Sequence, residues 1–481
     1  MAQSQAPDLP VTDYGARLQH VQACLDCRSV RRAIKDCRSL RKGGRGEPSF
    51  RRRTQGKACP MAQKQTKVHL SRDAPEPLVQ LCDSWREQLV GAARADHPIQ
   101  DWAADLGAPA QEAIRHVASS LAKGEAMGRE RSQAIRVLRK VKESLRHVNA
   151  AIEVHVPQHI RGMIQRIAIA LLHALCEAAG SPDTELPAKL AVGLEAVGDI
   201  PESGWWPADE KPATADIEDM DHEGWLRRLE SNICLEARQP WRADDVAAVW
   251  KKTLAECERG LMHGPFSREQ LDGCYGAGNW RAMQRFGVWQ KGKLRACDNA
   301  RSSGHNEATA THERLALEGA DFPARVAMAF YEHAASLGVP MWRMLSGTDD
   351  MADAYRHVPT CSPEFTVVAL WDPVLGAVRY FTLPGFNFGL KAAVPQYNRV
   401  AEAATLVALE ILGVVCCHFF DDFNVTEPAE SAASGQKALG ELLSMVGLHF
   451  SEAKLARGRG GARGLPRGGV RPLRHSGDRR G

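Results

Sequence analysis

The chain has 481 residues, 44% hydrophobic and 25% charged, the balance of an ordinary globular protein with room for two or three domains. Its net charge of +4 hides a division: residues 1–72 hold sixteen Lys and Arg against five Asp and Glu, and residues 457–481 hold eight against one, so basic ends flank an acidic body and point to nucleic acid. Thirteen scattered cysteines exclude a disulfide framework and point to a reducing, intracellular setting, with nucleus and cytoplasm not distinguished.

The opening residues, Met1-Ala2-Gln3-Ser4-Gln5-Ala6-Pro7, lack an apolar core, so no signal peptide is expected. Residues 1–75 are basic and weakly periodic and read as mostly disordered. Cys24 and Cys27 have metal-ligand spacing, but no second pair completes a zinc site. Residues 76–180 read as a helical region: Ile114, Val117 and Leu121 share a face, as do Ile135, Leu138, Val141, Leu145 and Val148, then Ile164, Ile167, Leu171 and Leu175. The apolar segment 160–179 carries Arg161, Arg166, His173 and Glu177, so it reads as one amphipathic helix and not as a membrane span. Residues 181–239 read as a linker, with Trp205 and Trp206 as packing anchors.

Residues 240–456 alternate helices and strands. A helix is expected over 322–337, then a segment 341–348 leading to a strand end at Asp349-Asp350. Strands over 365–370 and 377–382 flank a turn at Asp372-Pro373-Val374-Leu375-Gly376. A helix at 395–412 has Pro in its first turn. The apolar run 411–420 reads as a buried strand, with Asp421-Asp422 at a hairpin tip and a β-prone segment 423–426 beyond. A helix at 434–446 and a strand at 448–451 follow. Helices over one face of a mostly antiparallel sheet make an α+β domain close to a split βαβ pattern. The Arg/Gly-rich tail 457–481 forms no core.

Two adjacent carboxylates at a hairpin tip repel one another, and local folding gives no reason to place them there. Divalent cations give one. The upstream sequence fits that reading. Asp350 is followed by Met351, Ala352, Asp353, Ala354 and Tyr355; Leu383-Pro384 precedes Phe388-Gly389-Leu390-Lys391-Ala392-Ala393; Phe419-Phe420 precede Asp421-Asp422; and Gly447 to Lys454 closes the series. Before them stands Lys293-Leu294-Arg295-Ala296-Cys297-Asp298, with Arg301 and Asn306. In this order the motifs resemble the fingers and palm of reverse transcriptases of retroelements.

The resemblance implies an RNA-directed DNA polymerase that uses two Mg2+ (or Mn2+) ions, an RNA or DNA template-primer and deoxynucleoside triphosphates, with no membrane involved. It implies fingers and palm with a ferredoxin-like antiparallel sheet. Asp350, Asp421 and Asp422 would be the catalytic metal ligands, Asp422 the weaker, and Lys454 would protonate the leaving pyrophosphate. Lys293 and Arg295 would clamp phosphate. Asp353 and Ala354 would offer backbone N–H groups to the triphosphate, Tyr355 would exclude a 2′-hydroxyl, and Phe388 and Gly389 would complete the nucleotide site. A gate of that bulk argues against an RNA-directed RNA polymerase.

The chain departs from the family pattern in three places. Gly385-Phe386-Asn387 lengthens the second motif, Val394 stands where the family has Pro, and Phe419 replaces the commoner Tyr. Beyond Lys454 the sequence turns to Arg and Gly where a thumb and ribonuclease H domain are expected, so the palm reads as truncated. A catalytically silent nucleic-acid-binding relic or scaffold is the alternative.

Overall fold

The computed structural model describes residues 14–41 and 106–448, apart from Lys291 and Ala320. Lys454, the expected strand at 448–451 and the Arg/Gly tail lie outside the described residues. Within them the chain is an α+β protein of fourteen α-helices and three sheets. One sheet joins β1 (Gly198–Ile200), β2 (Ala208–Lys211) and β6 (Thr309–Glu313) in the order β1-β6-β2. A five-stranded sheet has the order β3-β9-β8-β4-β5, from β3 (His263–Phe266), β4 (Ala282–Gln290), β5 (Lys293–Asp298), β8 (Val367–Asp372) and β9 (Ala377–Thr382). The third is fully antiparallel, β10-β11-β7, from β7 (Met344–Asp350), β10 (Cys416–Phe419) and β11 (Asp422–Pro428).

The Ala393–Leu412 helix anchors this arrangement. It is rich in Ala, Val and Leu, nearly every residue from Gln396 onward is buried, and Gly413 ends it in the left-handed conformation, at φ 57°. A helix that is apolar all round belongs in a core, and this one packs against β10 on one side and the Ile169–Ala179 and Ala108–Ala122 helices on others. The apolar run 411–420 is therefore not a single strand. Ile411 and Leu412 complete the helix, Gly413 stops it, and the strand begins only at Cys416. A buried helix end and a buried strand look alike in a short apolar run.

The expected single helix at 160–179 is two, Gln158–Ile164 and Ile169–Ala179, bent by 66°. The second is buried on all sides, which explains why its polar residues are few. Among the described residues no single helix is long and apolar enough to cross a membrane.

Parts of the chain that looked featureless are built into the same core. The Tyr14–Leu25 and Arg28–Arg38 helices bury Val21, Leu25, Val30, Ala33 and Cys37 in the cluster that also holds Phe423 and Val425 of β11. Within 181–239, β1 finds its partner β6 about a hundred residues away in sequence, a pairing no local pattern reveals. All eleven described cysteines are free thiols.

Two buried ion pairs lock upstream segments to the sheet and its neighbours. Arg131 donates to both Glu427 oxygens at 2.6 and 2.9 Å, to the Gly413 carbonyl at 2.5 Å and to the Ser431 carbonyl at 3.1 Å. Arg399 binds Asp183 through two nitrogens, at 2.7 and 3.1 Å. In both, Arg presents its planar fork to a carboxylate that is also out of solvent.

Candidate active site

Asp350, Asp421 and Asp422 all lie at one end of the β10-β11-β7 sheet. Asp422 is directly opposite Asp350, and Phe423 is opposite Asp349. Across the hairpin Phe419 pairs with Asp422, so Phe420 and Asp421 form a two-residue loop. The Met351 N–H donates to the Asp421 carbonyl at 2.8 Å and ties this loop to the chain leaving Asp350. Side chains alternate along a strand. Asp349 accepts a hydrogen bond from Gln436 of the Ala429–Met445 helix at 2.9 Å, so Asp350 projects to the opposite face. The strand period thus separates one Asp of the Asp349-Asp350 pair from the other.

Like charges directly opposite on neighbouring strands destabilise a sheet. Backbone strain adds to that cost. Among the described residues only Asp353 (φ 49°) and Phe420 (φ 53°) are non-glycines in the left-handed region, and both flank the carboxylates. Strain of about 1–3 kcal/mol per residue concentrates where function demands it. Behind the hairpin the structure is ordinary core. His418 is buried against Thr405 at 3.1 Å, and burial pulls its imidazole down to about 3, so it stays neutral and serves packing.

Beside the carboxylates lies an aromatic floor. Asp353 leads into the short 3-10 turn Ala354–His357. The Tyr355 ring meets Phe388 edge-on at 5.0 Å and Tyr397 at 5.4 Å. Burial, and after it the charge of Asp421, raise the Tyr355 hydroxyl above its ordinary value. Arg259 donates to the Asp353 carboxylate at 2.6 Å across a partly exposed surface. Ala354 is buried while Phe388 is 40% exposed, so the floor opens to solvent at the Phe388 side.

The lengthened loop of the second motif is packed structure. Phe386 and Asn387 are fully buried, and the Phe386 N–H donates to the Tyr355 carbonyl at 3.1 Å. A Cβ on Gly385 would lie 2.2 Å from the Arg356 carbonyl oxygen, and one on Gly389 (φ 113°) would lie 2.4 Å from the Asp298 carbonyl oxygen. Asn306 clasps the same loop, donating to the Gly389 carbonyl at 3.0 Å and accepting from the Lys391 N–H at 2.8 Å. The residues from Asp298 to Asn306 and from Phe388 to Lys391 therefore fold against each other.

Lys293 and Arg295 stand apart from this centre. They lie on β5, the outer strand of the five-stranded sheet, opposite Gln290 and Val288, with exposed side chains. At about 3.3 Å per residue, Arg295 is roughly 10 Å up the strand from Asp298. Among the described residues neither side chain makes a hydrogen bond or an ion pair. They belong to a different sheet from the carboxylates.

The sequence reading missed the charged network beneath the floor. Asp298 accepts from Asn387 at 3.1 Å and from Arg356 at 3.3 Å, and lies 3.6 Å from Arg285. Arg285 donates to Glu256 at 2.7 Å. Burial pulls Arg356 below its ordinary value against the attraction of Asp298. For Arg285 burial opposes the charge as well, yet Asp298 and Glu256 hold it above the ordinary value. Arg356 also lies 5.4 Å over the Phe388 ring, so the network sets the height of the floor. The only sequence signal for it was charge placed among apolar neighbours.

As to metal binding, among the described residues no three His, Cys, Asp or Glu side chains form a group that would hold an ion by themselves. The donor set is nonetheless suited to Mg2+ or Mn2+, which take one or two carboxylates and complete their shell with water and substrate phosphate. Among the described residues Cys24 and Cys27 have no such group about them either. No protein-family model matches the chain, and no curated protein matches it. The likeness to reverse transcriptases rests on the motif residues.

Proposed function

We propose that the chain is a reverse-transcriptase-like, RNA-directed DNA polymerase of retroelement origin, with fingers and palm within residues 240–456. The observation that carries this reading is the direct pairing of Asp350 with Asp422 beside the Asp421 hairpin loop, next to a floor formed by Tyr355, Phe388 and Tyr397. Three motifs far apart in sequence converge there.

Asp350 and Asp421, with Asp422 more weakly, would hold two divalent cations, which would neutralise the triphosphate and favour ionisation of the attacking 3′-hydroxyl. The protein's own groups do the positioning. The Asp353-Ala354 turn presents backbone N–H groups to the triphosphate, as short helical starts do for anions. Tyr355 stands under the sugar, and its packing between Phe388 and Tyr397 keeps it from moving aside for a 2′-hydroxyl. Lys293 and Arg295 draw in phosphate from the fingers side. The role of Lys454 as proton donor rests on the resemblance alone.

The test is nucleotide incorporation by the full chain on RNA and DNA template-primers, with Mg2+ or Mn2+. Template-directed extension is expected; no incorporation in any combination would overturn the proposal. Tyr355→Ala is expected to leave deoxynucleotide incorporation measurable and to raise use of ribonucleotides relative to deoxynucleotides by about a hundredfold, roughly 3 kcal/mol of discrimination. An unchanged ratio in single-nucleotide extension would remove Tyr355 from that role.

A further inference from the structure

Tyr397 carries a polar atom that the nucleotide reading leaves unused. The side chain is 2% exposed, and among the described residues its hydroxyl has no hydrogen-bond partner. It rises from the first turns of the buried Ala393–Leu412 helix, and its ring meets Tyr355 at 5.4 Å. Burial first, then the charge of Asp421, and after it those of Tyr355, Asp350 and Asp422, hold the hydroxyl protonated well above the usual tyrosine range. The same three carboxylates that define the candidate site thus form its electrostatic surroundings. A buried donor without an acceptor costs about 1–3 kcal/mol, and Phe would pack the same space without that cost. The hydroxyl is a defect for folding, carried on a ring that packs against Tyr355, five residues beyond Asp350.

We propose that Tyr397 is a positioning residue of the carboxylate site, whose phenol donates to the Asp421 carboxylate, directly or through one water, when a divalent cation draws the three carboxylates together. Its effect is on how well Asp421 is aimed at the ion. Hydrogen bonds from outside the ligand shell typically change metal affinity by about ten- to a hundredfold. The inference rests on the proposed function only in taking the carboxylates as cation ligands.

The experiment is Mn2+ binding to the full chain, followed by electron paramagnetic resonance of the free ion, without nucleotide or nucleic acid. Tyr397→Phe is compared with wild type and with Asp421→Asn, and each variant's thermal unfolding is recorded. Tyr397→Phe is expected to unfold no earlier than wild type and to bind Mn2+ about tenfold more weakly. A purely structural Tyr397 would leave Mn2+ affinity unchanged, and affinity within twofold of wild type overturns the inference. If Asp421→Asn weakens binding and Tyr397→Phe does not, only the Tyr397 role fails. If neither weakens it, the carboxylate site itself fails.

Discussion

Asp421→Asn is expected to reduce nucleotide incorporation by about a thousandfold or more, equivalent to roughly 4 kcal/mol of transition-state stabilisation, while leaving the fold and template binding intact. The substitution is nearly isosteric and sits in a two-residue loop whose structural contact is the Met351 N–H to the Asp421 backbone carbonyl, which Asn retains. It removes one of three like charges crowded at the sheet end, so thermal stability is expected to hold or rise slightly. Loss of activity from a protein of unchanged stability identifies chemistry and not folding as the work of Asp421. Binding of template without incorporation in the wild type, indifferent to Asp421→Asn and steeply weakened by salt, would instead favour a nucleic-acid-binding scaffold.

Arg131→Met is expected to destabilise the protein by about 3–5 kcal/mol, because it strands Glu427 as an uncompensated buried charge. Glu427 has no exposed side-chain surface, and it also accepts the Val415 N–H at 2.9 Å. Arg131 further satisfies the carbonyls of Gly413 and Ser431 at the ends of two helices, so several acceptors lose their donor together. The double variant Arg131→Met with Glu427→Gln is expected to recover part of the loss, since the stranded charge is gone. Urea unfolding reads both; a loss under about 1 kcal/mol for the single variant would mean that water enters and solvates Glu427. β11 runs from Asp422 at the site to Glu427 at this lock. The variant is therefore also expected to lower activity below the temperature at which it unfolds.

The residues of the proposed site are easier to pick out in the sequence than the fold around them. Asp350, Tyr355, Phe388, Gly389 and the Asp421-Asp422 loop lie in short segments, and the hairpin needs only two strands that are adjacent in sequence. The Phe322–Leu337 helix and the β8-β9 turn were likewise readable from periodicity and turn chemistry. What the sequence concealed depends on distant partners. Arg131 meets Glu427 across 296 positions and Arg399 meets Asp183 across 216. Such pairs look like surface charge until the fold brings them together. The three-residue extension before Phe388 read as a departure from a pattern, yet Phe386 and Asn387 are buried against Arg356 and Asp298. The Tyr14–Leu25 helix was hidden by its basic surroundings, although Val21 and Leu25 are buried in the core and Tyr14, Leu18 and Cys24 pack against it.

The central claim, that Asp350 and Asp421 share a two-cation site, is tested most directly by crystals grown with Mn2+, a template-primer and a non-hydrolysable deoxynucleoside triphosphate, using the anomalous signal of the metal. Two Mn2+ ions about 3.5–4 Å apart, held between the Asp350 and Asp421 carboxylates and the triphosphate, are predicted. Carboxylates of Asp350 and Asp421 more than roughly 8 Å apart, with no metal signal between them, would contradict the account, because one pair of ions at that spacing cannot reach both.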